Sequence, residues 1–299
     1  GEVLLLPPSW HAASCARGKM LSIGAVGYMG RLPVPHLHAF DGSTFGYEQD
    51  PDLRDDSGAT AIFYAAEAGH DDAVTALLEK GADPNAKDGG GRTAIFQAAR
   101  NGHLTASKAL RARGGRVDIV DKSGRAALHY AAEGGHQDLV NWLLKEGARE
   151  GVADGQGQLA SHLAATRGHA GVLQVLKPTP TPDLAGLTPI HAAVFACQLR
   201  AAQQLAKRAP KALTSTTTDG LTLLHVACGR NHEGVVDWLL NTTAAATMLG
   251  TQAKDGQPPL HTAVIRSTVA IINKLIKAGA DVAAEDGDQM TALHLAGLA

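Results

Sequence analysis

Apolar residues recur along this chain in short bursts separated by turn-forming residues. The stretch Asp121 to Ala153, DKSGRAALHYAAEGGHQDLVNWLLKEGAREGVA, shows the pattern most clearly. Asp121, Lys122, Ser123 and Gly124 make a turn, and helix formers follow from Ala127 to about Gly134. Gly135 and His136 break that run, and the pattern predicts a second helix over Gln137 to Glu146. Leu139, Val140, Leu143 and Leu144 fall at i, i+1, i+4 and i+5, one apolar stripe of a helix with about 3.6 residues per turn. Gly147 stands where a left-handed C-terminal cap needs glycine. Two helices this short cannot bury their apolar faces alone, so the unit needs a neighbour on each side.

The neighbours are in the sequence. Aligned on the residue that opens the ALHYAA-type core, the copies start at Thr60, Thr93, Ala126, Leu159, Thr188, Thr222, Pro258 and Thr291. By subtraction the spacings are 33, 33, 33, 29, 34, 36 and 33 residues. A period in this range, with one turn and two helices per copy, is the signature of an all-α solenoid. Thr188-Pro189-Ile190-His191-Ala192-Ala193 and Thr222-Leu223-Leu224-His225-Val226-Ala227 open first helices. Gly69-His70, Gly102-His103, Gly135-His136 and Gly168-His169 separate the two helices, and Leu77 to Asn85 and Ile276 to Val282 end second helices.

On these motifs the chain closely resembles the ankyrin-repeat family over about residues 54 to 299. The resemblance implies stacked helix-turn-helix units with β-hairpin-like turn tips and a concave, protein-binding face. It also implies that the repeated histidines bond loop backbone and the repeat's threonine. Four regular repeats are expected over 54–176, a Pro/Thr joint over 177–182, and four more over 183–299, the last incomplete. Residues 1–53 do not repeat and read as an irregular N-terminal arm.

Departures from the family pattern are informative. Asp55, Asp88, Asp121 and Asp154 share one phase in the turn, where a carboxylate can hold hairpin amides. Ala61, Ala94, Ala127 and Ala160 replace the family's proline at the first helical residue. Ser161 stands where a buried leucine is expected. Pro178, Pro180 and Pro182 cannot continue a helix and favour extended backbone. Lys211–Thr218 and Asn241–Lys254 read as longer polar loops. At the far end Ile271, Ile272 and Leu275 are expected to lack full cover, which reads as a longer natural chain or a docking surface.

Composition narrows the function. The 44% hydrophobic content is that of a folded chain, while 4% aromatic suits short helices packed through Ala, Leu and Val. A formal net charge of −2 gives no nucleic-acid footprint. No apolar run reaches the roughly 18 residues of a membrane span. Cys15, Cys197 and Cys228 are too scattered for a disulfide framework, and the last two are read as buried thiols inside first helices. That cysteine usage fits a reducing compartment, and the setting is read as cytoplasmic, with a nuclear or organellar one left open.

Eleven of the 14 histidines fall at two fixed repeat positions, a structural assignment. His11, His36 and His38 lie in the arm without cysteine or acidic partners and are not read as a metal site. Gly89-Gly90-Gly91 lacks the Lys-Ser/Thr of a phosphate loop. No nucleophile motif is present, so no enzyme activity, cofactor or metal is expected.

The outward positions of the first helices and the turn tips then carry the function. They assign partner contacts to Tyr64, Glu67, Lys87, Gln97, Arg100, Asn101, Lys122, Tyr130, Glu133, Arg167, Phe195, Arg230 and Arg266. Leu163, Val226 and Ile265 share the same outward positions. The reading is a non-enzymatic scaffold that binds one or more proteins through its concave face. Two alternatives stay open: an architectural subunit held by its arm, loops and C-terminal edge, or a regulatory array of a longer enzyme or channel.

Overall fold

The computed structural model describes residues 50–297. Most of the expected arm, with His11, Cys15, His36 and His38, and the final residues Leu298 and Ala299 lie outside the described residues. Among the described residues there are sixteen α-helices, one 3-10 turn and no strand. The protein is an all-α array of helix pairs.

The described residues form two compact units, divided after Arg116. The first contains α1 (Ala61–Ala68), α2 (Asp71–Glu79), α3 (Ala94–Asn101) and α4 (Leu104–Ala112), with α1 packed on α3 and α2 on α4. The second begins with α5 (Ala127–Gly134), α6 (Gln137–Lys145), α7 (Ala160–Arg167) and α8 (Ala170–Val175). It continues through α9 (Pro189–Phe195), α10 (Leu199–Arg208), α11 (Leu223–Gly229), α12 (Glu233–Leu240) and α13 (Ala245–Gly250). It closes with α14 (Pro259–Arg266), α15 (Val269–Lys277) and α16 (Ala292–Ala296). First helices α5, α7, α9, α11, α14 and α16 stack in a row.

Small residues make that stacking close. Ala98 and Ala99 in the first unit, and Ala131, Ala132, Ala164, Ala165, Ala193, Ala227 and Ala263 in the second, are completely buried. Leu139, Val140 and Leu143 are buried as the α6 stripe requires, and Gly147 takes φ 93° in its cap. No leucine could occupy that left-handed backbone without strain.

The turns are held by one carboxylate device. Asp121 Oδ1 accepts the amide protons of Ser123 at 2.8 Å and Arg125 at 2.9 Å, and Asp55, Asp88, Asp154 and Asp183 repeat it. Turn tips then bond along the stack: Gly89 N–H donates to the Ser57 carbonyl and Gly155 N–H to that of Ser123, both at 2.7 Å. A Cβ at Gly89 would sit 2.8 Å from the Ser57 carbonyl oxygen, so the first glycine of the cluster is there for close approach. Among the described residues hairpin character is limited to isolated bridges such as Val120–Ala126.

Proline after Leu176 shortens α8 to 6 residues, against 9 in α6. The carbonyls of Leu173 and Leu176 accept hydrogen bonds from the Arg208 guanidinium of the next repeat. A helix end orphaned by proline is thereby satisfied by a charged donor.

Three expectations need correction. The two polar loops are partly ordered: Pro210–Thr214 is a 3-10 turn, and α13 buries Met248 and Leu249, whose apolar side chains anchor the insertion. Ile271 and Leu275 are fully buried, because α15 packs on α14 of its own repeat as well as on α12 of the preceding one. The exposed apolar residues of this region are instead Val269, Ile276, Val282 and Leu293. Cys197 is neither helical nor buried. It follows α9 at φ 59°, the position that Gly69, Gly102, Gly135 and Gly168 fill in other repeats, whereas Cys228 is buried in α11 and burial pushes its thiol up to about 12. Ser161 is buried in leucine's place, with its hydroxyl unpartnered.

Candidate protein-binding surface

The histidines settle what the repeat's polar groups do. His129 and His162 accept the amide protons of Ala126 and Leu159 on Nδ1 at 3.1 Å. Their Nε2–H groups donate to the carbonyls of Gln158 at 3.2 Å and Leu187 at 3.0 Å in the following repeat. Burial pushes His129, His162 and His225 below the ordinary histidine value, and His191 down to about 4. The rings of His129, His162 and His225 are neutral linkers, one end in each repeat. His191 instead bonds Thr188 through Nδ1, and its Nε2 has no hydrogen-bond partner among the described residues. The histidines ahead of second helices also bond backbone: His103 to Glu67, His169 to Glu133 and His232 to Phe195. Among the described residues no group of three or more His, Cys, Asp and Glu side chains is placed to hold a metal ion.

In the first unit the assigned contacts divide by position. Tyr64 is half-buried, and its hydroxyl donates to Asp55 Oδ2 at 2.5 Å. Burial raises the Asp55 pKa, but hydrogen bonds from Ser57, Tyr64 and Ala59 outweigh it and hold the carboxyl below its usual range. The Tyr64 phenol is pushed up by burial and by that carboxylate. Glu67 is half-buried, and its carbonyl accepts Asn101 Nδ2 at 2.7 Å. Lys87, Arg100 and Asn101 are exposed. Gln97 is not a surface residue. It is 5% exposed and its Oε1 has no hydrogen-bond partner, which corrects its outward placement.

The second unit carries a fuller polar surface. Tyr130 Oη donates to Asp121 Oδ2 at 2.6 Å, while Lys122 is exposed at the turn tip. Glu133 sits between two guanidiniums, 3.1 Å from Arg125 Nη1 and 2.7 Å from Arg167 Nη2. Arg125 also reaches Asp154 at 3.1 Å. Sequence reasoning passed over Arg125, although Arg92 holds the same repeat position and pairs with Asp88 at 2.6 Å. Arg230 lies with Cζ 3.5 Å above the ring of Phe195. Arg266 is exposed at the end of α14 beside exposed Ile265, whereas Leu163 and Val226 are buried.

These observations describe helix pairs whose buried Asp and His groups are spent on structure, whose first-helix ends carry Arg and aromatic groups, and whose turn tips carry Lys. The family model for ankyrin repeats in many copies matches residues 62–111. That for ankyrin repeats in three copies matches residues 87–154 and 196–286, more than half of the chain. The chain belongs to the ankyrin-repeat family. It is similar to the nuclear factor NF-kappa-B p105 subunit of Gallus gallus, 30% identical over 110 residues that make up 36% of this chain. The match spans only 11% of that relative's length. Ankyrin repeats generally mediate protein–protein interaction, and no helix among the described residues is long and apolar enough to cross a membrane.

Proposed function

We propose that this protein is a non-enzymatic interaction scaffold that binds a partner protein through the outward ends of its first helices and its turn tips. The observation that carries this reading is the division of labour among the polar groups. Buried Asp and His side chains bond backbone, while Lys87 and Arg100 in the first unit, and Lys122, Arg167, Arg230 and Arg266 in the second, are exposed at turns or first-helix ends. Stacked repeats hold those side chains in place before binding, which limits the ordering cost of association. A reduced, buried Cys228 fits the cytoplasmic setting of this reading.

The test compares two charge-reversed variants in co-purification from native lysate. Lys87→Glu/Lys122→Glu alters the turn side, and Lys145→Glu/Lys207→Glu alters second helices. The reading expects loss of partner with the first variant and retention with the second. The opposite pattern, with both variants folded, contradicts it.

A second reading, an architectural subunit docked by its last repeats, is favoured by exposed Val269, Ile276 and Leu293. Val269→Ser/Ile276→Ser would then lower the apparent size of the native complex in gel filtration. An unchanged size counts against it.

A further inference from the structure

Four consecutive first helices of the second unit, α7, α9, α11 and α14, pack in a row. At the seventh and eighth positions of the repeat frame they carry Thr166 and Arg167, Phe195 and Ala196, Gly229 and Arg230, and Ile265 and Arg266. Arginine and large apolar residues thus interleave along the strip, and none of these positions holds a carboxylate. Phe195 is 41% and Ile265 46% exposed, large apolar side chains left at the surface between cations.

The charge of the strip is uncompensated at its far end. Arg167 shares Glu133 with Arg125, but among the described residues neither Arg230 nor Arg266 makes an ion pair. Asp154 and Asp183 are buried holding turn amides. Asp219 and Asp255 lie at turn tips, at the opposite end of first helices about 10–12 Å long. Glu233 and Asp237 are taken by Lys274. Arg230 is also pre-set: stacked on Phe195, its guanidinium plane is fixed and its in-plane N–H groups remain for acceptors from outside.

We infer that this strip docks an extended acidic segment of a partner protein, with carboxylates about three residues apart and an apolar side chain between them. The inference rests on the protein-binding function proposed above and specifies the partner's chemistry. Neighbouring repeats stack at roughly 8–10 Å, and an extended chain advances about 3.3 Å per residue. Carboxylates three residues apart therefore meet Arg230 and Arg266. The apolar side chain between them lies against exposed Ile265, while Arg230 covers Phe195, and another carboxylate about six residues earlier reaches Arg167. Charge-assisted, bidentate pairing suits carboxylates on such arginines. A net charge of −2 and the scarcity of other cations on the strip favour a peptide over a nucleic acid.

The test is selection from a displayed library of roughly 12-residue peptides, long enough to cross four repeats in extended form. Selected peptides are then titrated by fluorescence polarisation against the full chain, Arg230→Glu/Arg266→Glu, and Lys145→Glu/Lys207→Glu. Arg266→Gln alone, at an exposed helix end, is the variant least exposed to folding defects. The expected result is enrichment of Asp/Glu with apolar residues, and affinity that falls with added NaCl. The arginine double variant should lose at least about tenfold in affinity, Arg266→Gln a smaller part, and the lysine variant nothing. Neutral or basic selected peptides would overturn the inference. So would acidic peptides that bind the arginine variants unchanged, or a single-stranded oligonucleotide whose binding the double variant abolishes. The first two results leave the protein-binding function standing. Failure of that function appears separately, as retention of the native partner by Lys87→Glu/Lys122→Glu.

Discussion

His225 accepts the amide proton of Thr222 on Nδ1 at 3.1 Å, and its other nitrogen donates to Gln257 of the next repeat at 2.9 Å. The threonine hydroxyl closes on the same ring nitrogen at 2.8 Å. This pair ties the start of a first helix to the turn that follows, and its variations along the chain lead to tests of stability.

Repeat seven breaks the pair. His261 is fully buried and its Nε2–H donates to Met290 at 2.9 Å, but Nδ1 has no partner. The cause is Pro258, which has neither an amide proton nor a hydroxyl. Pro258→Thr restores both and recreates the Thr-Pro start seen at Thr188-Pro189. It should raise stability by about 1 kcal/mol, read from the urea midpoint at constant slope. A lowered midpoint would show that the fixed proline backbone matters more than the orphaned nitrogen.

Buried neutral histidines make stability fall in mild acid. Burial lowers their folded pKa, so below the ordinary value of 6.5 the unfolded chain takes up protons that the folded chain refuses. Stability is complete above that value and lost as pH falls toward the folded pKa. His191, at about 4, accounts alone for up to roughly 3 kcal/mol across that window. Urea denaturation at pH 7.5, 6.5 and 5.5 should show little change between the first two and a clear decline at the third, a decline that is smaller in His191→Asn. A flat profile down to pH 5.5 contradicts the neutral assignment.

Cys197 and Asn231 occupy the left-handed site that glycine fills elsewhere, at φ 59° and 57°. Asparagine tolerates that backbone, but cysteine has no such local compensation. Cys197→Gly should therefore stabilise the protein by about 1 kcal/mol, and Cys197→Ala should not. Equal melting temperatures for Cys197→Gly and Cys197→Ala would show that no strain is stored there.

At the proline joint, Arg208→Met keeps most of the side-chain volume and removes the cap on Leu173 and Leu176. Two buried carbonyls then lose a charged donor, at a cost of about 1–3 kcal/mol. Amide exchange should accelerate first in α8. Unchanged exchange in α8 would mean that solvent already satisfies those carbonyls.

Much of the fold was legible because the repeat states each boundary several times. Helix limits over Ala127–Gly134 and Gln137–Lys145 follow the pattern to within a residue. What the pattern missed depends on neighbours. The register that places Tyr64 and Tyr130 at the rim also placed Gln97 there. The position faces only partly outward, and a tyrosine ring reaches the turn carboxylate while Gln97, Leu163 and Val226 are covered. Ile271 and Leu275 were misplaced in the opposite sense, since their stripe is buried within the helix pair rather than presented at its edge. Cys197 was misread as helical because its three-residue frame, Ala196-Cys197-Gln198, lacks the Gly-His signal.

The central claim is that a partner protein lies against the turn tips and first helices. Crosslinking with mass spectrometry on the native protein in its own lysate tests it most directly. The account predicts crosslinks from Lys87, Lys122 and Lys254, which are exposed at the turns, to one other protein. Crosslinks chiefly from Lys108, Lys145, Lys207 and Lys274 on the second helices would contradict it and place the interface on the opposite side of the repeats.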